Sequence, residues 1–204
     1  MIDKVNMPVD TPCIALPLHD TDCDSDPERI SFTFGDKQNC HIDFICEESS
    51  WNDFIHLHNS MIQNILSYLL MTTNHLRSTQ DYFITVILSD DSHIHDLNRE
   101  WRQVDKPTNV LSFSQYETHD LWQKTYPDEM PIELGDVFIA WDYCQQESKA
   151  LGLPFAEHFM HILIHGILHI LGYDHINLQD AQIMEQLEGD ILQYFGFARP
   201  YEQV

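Results

Sequence analysis

The apolar positions of this chain change period several times, and each change marks an element. Ile30-Ser31-Phe32-Thr33-Phe34 alternates apolar and polar with period two, the pattern of a strand with one buried face. Turn chemistry follows at Gly35, Asp36 and Asn39, and His41-Ile42-Asp43-Phe44-Ile45 predicts a second strand. Over 51–74 the apolar residues Phe54, Leu57, Met61, Ile65, Tyr68 and Leu69 recur at helical spacing and predict a helix with that stripe inward. Residues 82–88 are β-rich, and Ser89-Asp90-Asp91-Ser92 then supplies the caps for a helix carrying Ile94, Leu97 and Trp101. Pro107 forces an extended exit from that helix into a strand over 109–113.

The second half repeats the alternation of strand and helix. Residues 118–131 are polar with two prolines and predict a loop, long enough to be a mobile flap beside a site. A glycine-led strand over 134–140 and a short helix through Cys144 to Ala150 follow. Pro154 suits the first position of a helix whose apolar residues Phe155, Phe159, Ile162, Leu163 and Ile167 bury it against a sheet. An amphipathic helix over 179–194 closes the chain, with Ile183, Met184, Leu187, Ile191 and Leu192 inward. Strands interspersed with helices predict an α/β or α+β layer architecture.

Composition bounds this picture. The 204 residues with 43% apolar content suit one domain with a single core. Residues 1–39 read as an extension: Pro8, Pro12, Pro17 and Pro27 mix with Asp20, Asp22, Asp24 and Asp26, which favours an extended acidic arm, mobile in large part. The domain proper spans 40–204. A formal charge of -23, from 10 Lys and Arg against 33 Asp and Glu, argues against broad affinity for nucleic acid. The five cysteines Cys13, Cys23, Cys40, Cys46 and Cys144 show no paired spacing and fit reduced thiols rather than a disulfide framework or metal ligands. No apolar run reaches the roughly 20 residues of a membrane span, and the first 27 residues lack a basic stretch followed by an apolar one. The expectation is a soluble, cytoplasmic protein.

The chemistry concentrates in His165-Gly166-Ile167-Leu168-His169-Ile170-Leu171-Gly172-Tyr173-Asp174-His175. His165 and His169 are four apart, so a helix stacks them on one face with Cβ atoms about 6 Å apart. Gly172 is a natural stop in the left-handed conformation, and the turn it makes can return His175 over the same face. Three imidazoles suit one Zn²⁺ per chain and leave its fourth position open, which points to catalysis rather than a structural clip. Chance produces the spacing with its glycine in about 0.002 of chains this rich in histidine, so coincidence is a poor account of it. His158 and His161, on the same helix, read as buried hydrogen-bonded residues behind these ligands, with His161 a possible competing ligand.

The spacing His-x3-His-x2-Gly-x2-His is also the ligand frame of the metzincin peptidases, which carry Glu directly after the first His as general base. Here that position is Gly166, so peptide hydrolysis by that route is disfavoured.

Two blocks of sequence resemble the YbeY endoribonucleases: residues 165–175, and Leu97-Asn98-Arg99-Glu100-Trp101-Arg102-Gln103-Val104-Asp105-Lys106-Pro107-Thr108-Asn109-Val110-Leu111-Ser112-Phe113. The resemblance covers about 40–195, with Ser114 standing where the family usually has Pro. It implies a small mixed sheet flanked by helices, with the metal site on a central helix, in a metallohydrolase domain over 40–204. It also implies a metal-dependent endoribonuclease specific for single strands, active in ribosomal RNA maturation and ribosome quality control. On that reading His165, His169 and His175 hold Zn²⁺ and Arg102 is the catalytic residue that neutralises charge on the phosphate. The implied partners are single-stranded ribosomal RNA and the small ribosomal subunit or a basic ribosomal protein, with no membrane and no DNA. Two alternatives stay open: another metallohydrolase on the same frame, and a non-catalytic ribosome-assembly factor whose zinc is structural.

Overall fold

The computed structural model describes residues 3–6, 27–35, 39–73, 76, 80–116 and 131–200. Six strands form one mixed sheet: β1 (Asp3–Asn6), β2 (Glu28–Phe34), β3 (Asn39–Cys46), β4 (Asp81–Ser89), β5 (Val110–Ser114) and β6 (Ile132–Ala140). Their order is β1-β5-β6-β4-β3-β2. The β1–β5, β6–β4 and β4–β3 pairs are parallel, while β5–β6 and β3–β2 are antiparallel. Among the described residues five helices cover it: α1 (Ser50–Thr73), α2 (Asp91–Arg102), α3 (Trp141–Leu151), α4 (Phe155–Ile170) and α5 (Leu178–Tyr194). This is a single α/β domain. None of these helices alone is long and apolar enough to cross a membrane.

Alternation along the central strands sets the layers. In β5 and β6, Val110, Val137 and Ile139 enter the large core shared with α1, α4 and α5, while Leu111, Phe113, Phe138 and Ala140 join Ile94 and Leu97 of α2 on the opposite face. The helices therefore sandwich the sheet, and α4 lies across β5 and β6. An aromatic cluster anchors the start of α4: Trp51 lies edge-on to Trp141 at 4.7 Å, and Phe159 lies 5.2 Å from Trp51.

Gly166 explains how closely α4 seats. A Cβ there would stand 2.7 Å from Val137 Cγ1 and 3.3 Å from both Ser112 Oγ and Val110 Cγ2. Only a residue without a side chain lets the helix sit this low, and Ser112 Oγ donates to the Gly166 carbonyl across the seam at 3.1 Å.

Several expectations need correcting. Asp3–Asn6, read as part of an extended arm, pairs in parallel with β5 as an edge strand, and the sheet takes strands from both sides of residue 40. The stripe expected on α1 is rotated: Leu57 is 80% exposed, whereas Trp51, Ile55, Ile62, Ile65, Leu66 and Leu69 are buried. Apolar residues occupy adjacent positions 61 and 62, so two stripes compete, and packing against α4 and α5 selects one. Ile183 of α5 is likewise exposed. Pro154 is the cap residue before α4 rather than its first residue. The acidic stretch around Asp20 to Asp26 and the loop expected over 118–131, save its last residue, lie outside the described residues.

Candidate metal centre

The last two turns of α4 and the turn after it bring the three predicted imidazoles together. His165 and His169 rings lie 4.5 Å apart, and His175 lies 5.4 Å from the first and 4.9 Å from the second, centroid to centroid. The return is made by Gly172 at φ +92°, with Gly172 N–H donating to the His169 carbonyl and Tyr173 N–H to the Leu168 carbonyl. Asp174 caps the turn by accepting from the His175 N–H at 2.7 Å. One nitrogen from each ring lies within 4.8 Å of the others, close enough to share one ion.

The tautomers are prepared for ligation. His165 Nδ1–H donates to Glu188 Oε1 at 2.7 Å, and His169 Nδ1–H donates to the Tyr173 carbonyl at 3.0 Å, so Nε2 carries the lone pair in both rings. Both Nε2 atoms are buried, and that of His165 meets no hydrogen-bond partner among the described residues. An apolar interior does not leave a buried lone pair unsatisfied without cause, and a cation satisfies it. Burial pushes the His165 imidazole below its ordinary value against the opposing pull of Glu188, with His161 and His175 adding to the lowering. The ring is thus held neutral, the form that binds a metal. The donor set fits a zinc ion.

Glu188 is the carboxylate behind the histidine group that the sequence pattern missed. It comes from α5, is fully buried, and also accepts from His161 Nε2–H at 3.3 Å. Burial pushes its carboxyl up, but the hydrogen bonds from His161 and His165 prevail and hold it well below the usual carboxylate range. The available signal was a carboxylate in the inward stripe of α5, four positions after Met184 and four before Leu192. His161 and Glu188 with His165 form a second group close enough to share an ion, but their mutual hydrogen bonds already pair them.

Arg102 ends α2. It is half-buried, its Nη1 donates to Asn98 Oδ1 at 3.1 Å, and burial pulls its guanidinium below the ordinary value without discharging it. Asn98 in turn donates to the Lys106 carbonyl at 2.7 Å, which ties the arginine's support to the following loop. Arg102 and His161 line one cleft of about 630 Å³ together with Lys106 and Arg199. Arg99, by contrast, is exposed and paired with Asp96 at 2.6 Å. His158 lies buried on the floor of the cleft and donates from Nε2 to Glu147 at 2.9 Å.

Comparison with known proteins completes the description. The chain is 44% identical over 123 residues to an Endoribonuclease YbeY of Rhodopseudomonas palustris, covering 60% of this chain and 69% of that protein. It is 42% identical over 124 residues to an Endoribonuclease YbeY of Methylocella silvestris, covering 59% and 63% respectively. The solution structure of TM1509 from Thermotoga maritima superposes with a TM-score of 0.48 at 18% identity, covering 79% of this chain and 99% of that one. The family model for Endoribonuclease YbeY matches residues 47–196, a span that includes Arg102, the three histidines and Glu188, and the chain belongs to that family.

Proposed function

We propose that this protein is a zinc-dependent endoribonuclease that cuts single-stranded ribosomal RNA during maturation and quality control of the ribosome. The observation that carries the reading is the convergence of three imidazole nitrogens within 4.8 Å, one of them a buried lone pair without a hydrogen-bond partner. Among the described residues no fourth His, Cys, Asp or Glu joins that group, which favours an open catalytic position over a closed structural one. The two sequence relatives, both named Endoribonuclease YbeY, supply the reaction class.

Each residue has a definable part. His165, His169 and His175 would hold the ion, which when bound supplies Lewis-acid polarisation to a phosphodiester. Glu188 keeps the His165 proton on Nδ1, and the Tyr173 carbonyl does the same for His169, so neither ring has to change tautomer to ligate. Arg102, with Asn98 fixing its guanidinium, offers a fork of donors to the charge that develops on the phosphate. Gly166 presses against Val137 rather than lending a carboxylate to the site, so the position that carries the peptidase general base supplies none here.

Charge shapes the choice of partner. With a formal charge of -23, free RNA is held weakly, and recruitment rests on a basic protein of the small ribosomal subunit. Salt titration of RNA binding tests this point: a steep slope on naked RNA, implying many phosphate contacts, contradicts it. The nuclease reading is tested by incubating metal-quantified protein with ribosomal RNA precursors beside a His169→Ala control. The expected result is about one zinc per chain and endonucleolytic cleavage, both lost in the variant. Cleavage that persists in metal-free His169→Ala, or none by zinc-loaded wild type, overturns it.

A further inference from the structure

The cleft beside the histidine centre holds a group that the metal site does not use. Glu147 on α3, His158 on α4 and Asn109 at the start of β5 meet through a single oxygen: Asn109 Nδ2 donates to Glu147 Oε2 at 2.7 Å and His158 Nε2–H donates to the same atom at 2.9 Å. The Asn109 amide is itself oriented, because its Oδ1 accepts from the Val110 N–H at 2.8 Å. Three elements thus fix one carboxylate, and its other oxygen, Oε1, accepts no hydrogen bond among the described residues. His158 is 3% exposed, and its Nδ1 is buried without a partner, an uncommon expense for a residue that only fills space.

The surroundings specify what could sit there. The volume, about 630 Å³, lies within the range of small-ligand pockets. Arg102, Lys106 and Arg199 line it, three of the chain's ten cations in a protein of charge -23, beside Glu147 and Glu157, with Arg199 held by Asp190 and Gln193. Leu151, Leu153, Ile162 and Leu192 give it apolar walls. His161, also in the lining, lies 6.4 Å from His165, so the cleft adjoins the metal centre. An anionic group at the cations joined to a flat apolar ring with a polar edge matches this lining, and a nucleotide has those parts.

We propose that the cleft is a nucleobase pocket, which seats the base of the nucleotide next to the scissile phosphate and uses Glu147 Oε1 to select bases that carry an exocyclic amine. The inference rests on the nuclease reading for the identity of the ligand. Cytosine, adenine and guanine each present an amine that can donate to a carboxylate oxygen, whereas uracil offers carbonyls on either side of its one imino N–H, and these repel it. The hydrogen bond from His158, reinforced by that from Asn109, holds the Glu147 carboxyl below the usual range despite burial, so the acceptor is present in its charged form at neutral pH. Asn109 and His158 are positioning residues for it.

Cytidine and uridine 5′-monophosphates make the cleanest probes, because they match in size and differ only in the edge that Glu147 would read. Calorimetric titration of the intact zinc-loaded protein should show CMP binding about tenfold more tightly than UMP, the scale of one hydrogen bond to a charged group. Glu147→Gln keeps an oxygen for Asn109 and His158 but puts an amide NH₂ where Oε1 was, so the preference should invert in favour of UMP. Arg102→Ala should weaken both nucleotides by the same factor, since it touches the phosphate they share. Leu151→Trp, at an exposed position on the cleft wall, should abolish binding of both without burdening the fold. It decides the location of the pocket even if Glu147→Gln fails to fold. Equal affinities for CMP and UMP, an unchanged ratio in folded Glu147→Gln, no saturable binding, or full binding by Leu151→Trp each overturn the proposal. RNA cleavage accompanied by equal CMP and UMP affinities removes the pocket and leaves the nuclease reading standing. A CMP preference that Glu147→Gln inverts, in a protein that cuts no RNA, does the reverse.

Discussion

Glu188→Ala isolates what a carboxylate behind a ligand imidazole contributes. The change deletes the 2.7 Å bond to His165 Nδ1 and the longer 3.3 Å bond to His161 Nε2, both at a fully buried position. The first is a charge-assisted bond in a dry setting, worth about 1.5–3 kcal/mol, and the second lies near the long end of hydrogen-bond distances and adds less. Without it the His165 ring is free to turn and to move its proton to Nε2, the nitrogen required for the ion. Losses of metal affinity of about 10- to 100-fold are typical for such partners, equivalent to about 1.4–2.8 kcal/mol, so the bond and the affinity agree in scale. Glu188→Gln keeps an acceptor for His165 but not the charge, and should fall between wild type and Ala. Competition with a chromogenic chelator gives the zinc affinity, and circular dichroism establishes that each variant is folded. A folded Glu188→Ala protein that holds zinc as tightly as wild type refutes the argument, since the carboxylate would then be bracing the two helices without tuning the ligand.

Three further outcomes are expected. Arg102→Ala should retain zinc and fold but lose about 10²-fold or more in single-turnover cleavage at saturating RNA, with Lys rescuing only in part; a wild-type rate there would reduce the residue to a docking charge. Gly166→Ala sets about 1 kcal/mol of gained helix propensity against about 1–3 kcal/mol of overpacking on Val137, whose stiff branched side chain is buried in a central strand, so its urea midpoint should fall modestly; a higher midpoint would show that α4 is not pinned to the sheet there. His93 is raised above its ordinary 6.5 by its hydrogen bond to Glu47, with burial opposing and the Glu47 charge adding, so the pair's stabilisation is fully present below that ordinary value and disappears as pH rises through the raised one. The stability gap between wild type and His93→Gln should therefore be wider near about pH 6 than near about pH 8.5, and a gap that widens with pH would contradict the pairing.

How much of this was legible depended on how local the cause was. The three histidines lie within one stretch whose spacing and glycine define a helix stop, so their convergence could be read directly, and the caps at Asp90 and the strand after Pro107 are equally local. Glu188 stands 23 positions after His165, on a helix whose own periodicity is satisfied without it, and only the packing of α5 on α4 turns that carboxylate towards the histidines. The α1 stripe misled because apolar residues occur on more than one face, and no local rule chooses between faces that tertiary contact alone distinguishes. Asp3–Asn6 carries no strand pattern at all. Its pairing depends on the edge that β5 presents more than a hundred residues later.

The seat of Gly166 also bears on which enzymes can descend from one another. A peptidase of the metzincin kind differs from this frame at that position by a single residue type, glutamate for glycine, and the two ligand spacings are the same. On paper one substitution separates the lineages. In this molecule the Cα–Cβ direction at 166 runs into Val137 and the β5 side chains, so a glutamate placed there would drive its carboxylate into the sheet and lift the helix that carries the ligands. The route from one chemistry to the other therefore passes through a rebuilt helix–sheet seam, with compensating changes at Val110, Ser112 and Val137 needed before the new base could function. Shared ligand spacing records a common solution to holding a metal, while this glycine closes the direct mutational path between the two enzymes.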